Sequence, residues 1–186
     1  MTKAEIRKQV ITLRKGLSVE QVEAYSRALL EHFVSLDFSL VRTVHVFLPI
    51  AEKKEPDTFL LIDWLALHHP EIRIIVPKAD FETALMQNYV YTGRAGLEKN
   101  FYNILEPAKG ELHTGEVDMV LVPMLAFDLQ GYRAGYGKGF YDRFLAGLGA
   151  QKIGLSFFGP VERIDDVNTH DVRLDCCITP ERVYCF

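Results

Sequence analysis

Gly135, Gly137 and Gly139 alternate with Tyr136 and Lys138; Arg133 stands just before them and Asp142 just after. Glycine lets backbone amides come close to a ligand, and successive amides in such a loop form an anion-binding concavity. Arg133 adds a planar fork of donors and Lys138 a point charge. The chemistry on offer is the holding of phosphate. Neither familiar phosphate loop is present: in a P-loop the lysine is followed by Ser or Thr, whereas Lys138 is followed by Gly139, and the dinucleotide fingerprint G-x-G-x-x-G fails on spacing. A lone G-x-G-x-G is also compatible with a flexible turn. Its setting after a buried strand, with Arg133, Lys138 and "YDR" beside it, favours the cradle.

The elements that must position this segment can be read from periodicity. Residues 117–128, "VDMVLVPMLAFD", form the near-continuous apolar run of a central parallel strand buried on both faces. "FYDRFLAGL" reads as the helix that follows the glycines, placing their amides at its positive end. Upstream, residues 43–49 predict a buried strand, and residues 50–58 a polar loop. Pro56 and Asp57 open a helix with Phe59, Leu60, Trp64 and Leu67 on its apolar face, and a second strand starts at Ile72. Strand, helix, strand is a right-handed crossover and therefore a parallel pair. A strand is possible from Ala84, residues 96–107 read as loop with short elements covering a ligand or moving, and "KIGLSF" and a last strand "CCITP" follow. These elements predict a three-layer α/β/α fold around a mainly parallel sheet, whose ligands bind beyond the carboxyl ends of the strands.

The N-terminal residues 2–15 predict a helix with Ile6, Val10, Leu13 and Leu17 at helical spacing. Lys3, Arg7 and Arg14 fall on one stripe bordering that apolar face, which suits either a solvated edge or the wall of a pocket. Ser18 and Gln21 form a capping box that starts a second helix running to about Leu36.

The chain has 186 residues, 48% hydrophobic and 25% charged, which is the balance of one soluble globular domain, here spanning residues 1–186. A net charge of −4 argues against non-specific attachment to nucleic acid or anionic membranes. Cys176, Cys177 and Cys185 are odd in number and lack metal-site spacing, so they read as structural thiols of a reducing cytoplasm. No stretch approaches the length of a membrane span and no secretory leader is visible.

The stretch "VPMLAFDLQGYRAGYGKGFYDRFL", residues 122–145, resembles the signature of the 5-formyltetrahydrofolate cyclo-ligases, and the likeness extends through "KAEIRKQV", "EPDT" and "THDVRLDCCITPE". Ala134 stands where that family often has leucine, and the loop "IAEKKEPDT" is longer than in many of its members. The resemblance implies an enzyme, acting as a monomer in the cytoplasm, that closes 5-formyltetrahydrofolate to 5,10-methenyltetrahydrofolate with ATP and magnesium. It implies that Lys3, Arg7, Arg133, Gly135, Tyr136, Gly137, Lys138, Gly139, Phe140 and Tyr141 contact ATP, with Arg133, Lys138 and Tyr141 acting in catalysis. By the same resemblance Ile50, Glu55 and residues Tyr136 to Phe140 contact the folate, and Asp142 and Asp171 bind the metal. Read alone, Asp142 is a helix-start residue, Asp171 a turn residue and Glu55 an exposed loop charge. His170 beside Asp171 takes a surface or supporting role. Phe47, Phe81, Phe127, Phe140 and Tyr141 are candidates to stack on pterin or adenine, although most aromatics are core. Two rivals remain at this point: a sugar-phosphate isomerase of similar architecture, and a sensor domain for a phosphorylated metabolite.

Overall fold

A computed structural model describes residues 1–186. The chain opens with two capped helices, α1 (Lys3–Gly16) and α2 (Val19–Phe33), each started by a reciprocal capping box, Thr2 with Glu5 and Ser18 with Gln21. Strand β1 (Thr43–His45), helix α3 (Phe59–His68) and strand β2 (Arg73–Asp80) form the expected parallel crossover. Strand β3 (Leu85–Val90) turns back antiparallel on β2. A small hairpin of β4 (Leu97–Lys99) and β5 (Leu105–Pro107) comes next, followed by β6 (Leu112–His113) beside β3.

Strand β7 (Met119–Pro123) is the buried central strand, and a second small hairpin, β8 (Ala126–Phe127) with β9 (Arg133–Ala134), separates it from the glycine segment. Helix α4 (Phe140–Leu145) and strands β10 (Gln151–Leu155), β11 (Cys176–Ile178) and β12 (Val183–Cys185) complete the chain. The main sheet has the order β12-β11-β10-β7-β1-β2-β3-β6, parallel from β11 to β2 with antiparallel strands at both margins. The alternation of strand side chains fixes the layers. Met119 and Leu121 of β7 pack with α2 and α3 on one face, and Val120 and Val122 pack with Leu145 of α4 on the other.

Helix α3 buries Leu61, Ile62 and Leu65, while Leu67 is 75% exposed. This helix is apolar on nearly every side, so its composition leaves the buried face undecided and packing on α2 decides it. Leu13, placed on the inner face of α1, is likewise exposed. Helix α2 stops at Phe33 because Val34 to Leu36 close in turns. "CCITP" is not the last strand: β12 returns antiparallel and sets Cys185 opposite Cys176, and these two cysteines are joined as a disulfide instead of standing as thiols. Cys177 points to the other face, buried, and burial pushes its thiol pKa up. No helix is long and apolar enough to cross a membrane.

Candidate active site

Strand β1 passes to β2 on one side, whereas β7, its other neighbour, leads on to β10 and β11. Strand order therefore reverses between β1 and β7, the place where open α/β sheets bind ligands. A cleft of about 770 Å³ opens there, with Phe47 and Leu48 after β1 and Pro123 at the end of β7 in its floor. The glycine segment 135–139 runs along it, with Phe140, Tyr141 and Asp142 at the start of α4. That helix has only six residues, so the anticipated dipole is small and the backbone amides and cations matter more.

Helix α1 delivers two members of its stripe, Lys3 and Arg7, to this cleft, so the pocket-wall reading holds for these two. Its N-terminus is anchored by Lys3 N–H donating to Asp166 at 2.7 Å. Lys3 Nζ is ion-paired with Asp171, and Arg7 Nε donates to the carbonyl of Gly135 at 2.7 Å. Both side chains line the cleft; Arg14 is buried beneath it. Lys138 is exposed at the rim.

Arg133 is buried, donates to the carbonyl of Val172 and pairs with Asp142 at 2.7 Å; burial pulls its pKa down while Asp142 holds it up. Asp142 also accepts from Val172 N–H at 3.1 Å, and Asp171 from Asn168 N–H at 2.7 Å. Each carboxylate makes these bonds through a single oxygen, Oδ1 of Asp142 and Oδ2 of Asp171. One hard oxygen on each is left over. No group of three or more His, Cys, Asp or Glu side chains is assembled. Two carboxylates fit magnesium, which keeps waters and phosphate oxygens as its other ligands, better than a metal needing a full protein cage.

At the other end of the cleft lies Glu55, 5% exposed and not the loop charge that its sequence neighbours suggest. A 3-10 turn, Ala51–Lys53, and Lys54 in the left-handed conformation fold the loop inward. Lys54 Nζ then donates to the carbonyls of Lys15 and Leu17 at the end of α1. Thr58 donates to Phe47 O at 2.6 Å, closing the loop on β1. Glu55 accepts from Ile50 N–H at 2.8 Å and from Tyr136 O–H at 2.7 Å; burial raises its pKa, opposed by those bonds and by Arg14 and Lys53.

Sequence reading misses His45. It is fully buried on β1, its Nδ1 2.8 Å from Asn88 Oδ1 and its Nε2 3.0 Å from the Tyr141 hydroxyl. With Asn88 offering an acceptor, Nδ1 carries the proton and Tyr141 donates to Nε2. Tyr141 thus shows its ring to the cleft and ties its hydroxyl under the floor. Desolvation lowers the His45 pKa from 6.5 to about 4, so the ring is neutral. A histidine within a β-branched run carries no sequence signal that separates it from an ordinary core residue.

Among the aromatic candidates, Phe81 and Phe140 meet edge to face at 5.2 Å on the cleft wall, and Phe47 lies in the floor. Phe127 is excluded, being fully buried against Tyr184 and Phe186. His170 is exposed. Residues 97–107 are a hairpin whose tip supplies Tyr102, 4.2 Å from Phe81 between ring centres, so the segment does cover the cleft.

The model of the 5-formyltetrahydrofolate cyclo-ligase family matches residues 1–180. The chain belongs to that family. A 5-formyltetrahydrofolate cyclo-ligase of Mycolicibacterium smegmatis is 29% identical over 97% of this chain and 95% of its own length. The solved structure of Aquifex aeolicus 5,10-methenyltetrahydrofolate synthetase matches 100% of this chain and 93% of that chain with a TM-score of 0.83 and 34% identity. A synthetase structure from Mycoplasma pneumoniae shares the fold at a TM-score of 0.73 and 24% identity, over 96% of this chain and 98% of that one. The cyclo-ligase signature quoted from residues 122–145 thus occupies β7, the hairpin β8–β9, the glycine segment and α4, one continuous wall of the cleft.

Proposed function

We propose that this cyclo-ligase uses ATP to convert 5-formyltetrahydrofolate into 5,10-methenyltetrahydrofolate, releasing ADP and phosphate. The γ-phosphoryl group passes to the formyl oxygen, N10 attacks the activated carbon and loses its proton, and the formyl oxygen leaves with the phosphate. The chemistry needs no covalent nucleophile from the protein. It needs alignment and charge neutralisation, from which nearly all enzymatic acceleration of phosphoryl transfer comes.

The observation that carries this reading is that one cleft joins two unlike halves through the glycine segment. At one end are Lys3, Arg7, Arg133, Lys138 and two carboxylates with a free oxygen each; at the other is the buried, hydrogen-bonded Glu55. In our reading the backbone of residues 135–139, with Lys3, Arg7 and Lys138, holds the nucleotide phosphates. Arg133 fixes Asp142 and the chain at Val172, while Asp142 and Asp171 hold magnesium, which when bound neutralises phosphate charge. Glu55 accepts hydrogen bonds from the folate beside Ile50, and the rings of Phe140 and Tyr141 complete the wall where the two substrates meet. The test is absorbance of methenyl product from 5-formyltetrahydrofolate with and without Mg-ATP. Product only with Mg-ATP is expected, and no product under either condition overturns the proposal.

A further inference from the structure

The basic stripe of α1 has a third member that the nucleotide site does not use. Arg14 lies in the last turn of the helix, 3% exposed, with Nη2 donating to the carbonyl of Met124 at 2.6 Å and Nη1 to the hydroxyl of Tyr136 at 3.1 Å. Its Nε is buried with no partner. Arginine can only donate. The oxygen of Tyr136 is therefore an acceptor toward Arg14, and its single proton goes to Glu55 Oε1 at 2.7 Å. Glu55 Oε2 takes the Ile50 N–H at 2.8 Å. Every bond in this chain has one possible direction, from Arg14 through Tyr136 to Glu55.

We infer that Arg14 is a positioning residue for Glu55, acting through the Tyr136 hydroxyl to fix the carboxylate that meets the folate. Packing alone is a poor account of Arg14, because a buried guanidinium with an orphaned N–H is costly and an apolar side chain of similar length fills such a place at no such cost. What the guanidinium adds is polarity: without it the Tyr136 hydroxyl is free to rotate away from Glu55. Lys53, whose ammonium sits 4.2 Å from the centre of the Tyr136 ring, holds the ring but not the hydroxyl. With both oxygens of Glu55 engaged from the protein side, each keeps a lone pair for donors on the substrate.

The inference rests on the proposed function, and steady-state kinetics with separate KM values for the two substrates tests it. Arg14→Met is expected to raise the KM for 5-formyltetrahydrofolate about tenfold, the loss of one hydrogen bond to a charged group, and to leave the KM for ATP unchanged. Tyr136→Phe, which keeps the ring, should give the same split, and the double variant should be no worse than the poorer single one. Arg14→Lys, which keeps the charge, should restore part of the folate affinity. Should Arg14→Met fail to fold, Tyr136→Phe and Arg14→Lys decide alone. Equal changes in both KM values, additive effects in the double variant, or a lowered Tm with both KM values at the parent level overturn the inference. A parent protein that forms no methenyl product defeats the proposed function and this inference together.

Discussion

The two ends of the cleft are built on opposite principles. At the end lined by Lys3 and Arg133 the charges pair with one another, Lys3 with Asp171 and Arg133 with Asp142, and half of each carboxylate is left over. At the Glu55 end a single buried carboxylate has both oxygens held by donors, and Arg14 fixes the direction of the one from Tyr136. Ion pairs of the first kind can exchange partners when phosphate and a cation arrive. A hydrogen-bonded network of the second kind is ready before the substrate comes and loses its geometry if one member is changed. Under the proposed function, substitutions at the first end are expected to change the response to nucleotide and metal, and those at the second the affinity for one substrate.

The contrast breaks most readily at Lys138. Its ammonium is exposed at the rim, so Lys138→Ala should leave Tm at the parent value while transition-state stabilisation falls by about 2–4 kcal/mol, a loss on the order of 30- to 900-fold in kcat. Parent-like turnover removes this lysine from the chemistry. Next in size are Asp142→Asn and Asp171→Asn. Each should raise the magnesium concentration needed for activity, and Asp142→Asn should also lower stability by about 1–3 kcal/mol because it strips the counter-charge from buried Arg133. Magnesium titrations that coincide with those of the parent contradict the metal assignment.

A pH series sharpens the contrast from the side of the preformed groups. The His45 pKa is depressed, so its contribution to stability is complete above pH 6.5 and is lost as pH falls toward 4, on the order of 1 kcal/mol per pH unit. Glu55 acts with the opposite sign: its pKa is raised, so its contribution is complete below 4.5 and is lost as pH rises through the folded value. Denaturant unfolding of the parent and of His45→Gln between pH 4 and 7 checks the first effect. The variant should lose the acid-side fall, and identical slopes contradict it.

The smallest effect on stability is expected at Gly135, and it decides between a phosphate cradle and a mere turn. Gly137 and Gly139 have φ of +92° and +72°, so alanine is strained there whether or not a ligand binds. Gly135 has no such constraint, and a Cβ built on it meets nothing within 4 Å. Gly135→Ala should therefore melt with the parent yet bind ATP more weakly, because its methyl group stands where phosphate must approach. Parent-like nucleotide affinity in isothermal titration reduces the segment to a connection.

How much of this can be read from the sequence follows from the range of the forces involved. Capping boxes and the central strand are local patterns, so Ser18 with Gln21 and the run around β7 are legible. The basic stripe is legible as a stripe, but only the fold shows that Lys3 and Arg7 reach the cleft while Arg14 goes beneath it. Glu55 reads as an exposed charge because the donors that let it be buried, Ile50 N–H and the Tyr136 hydroxyl, come from a turn and from a segment eighty-one residues away. His45 is invisible for the same reason, and α3 lacks a polar side to set its phase. The family resemblance points to Glu55, Asp142 and Asp171, where spacing alone leaves a loop charge, a helix start and a turn.

Phosphorylation by ATP is proposed to drive the ring closure in this cleft. Its most direct test is the simultaneous measurement of ADP and methenyl product in one reaction of the parent protein with 5-formyltetrahydrofolate and Mg-ATP. One ADP for each methenyl product is expected at every time point, and neither product when Mg-ATP is left out. Methenyl product formed at the full rate without nucleotide, or ADP released with no methenyl product beside it, contradicts the proposal.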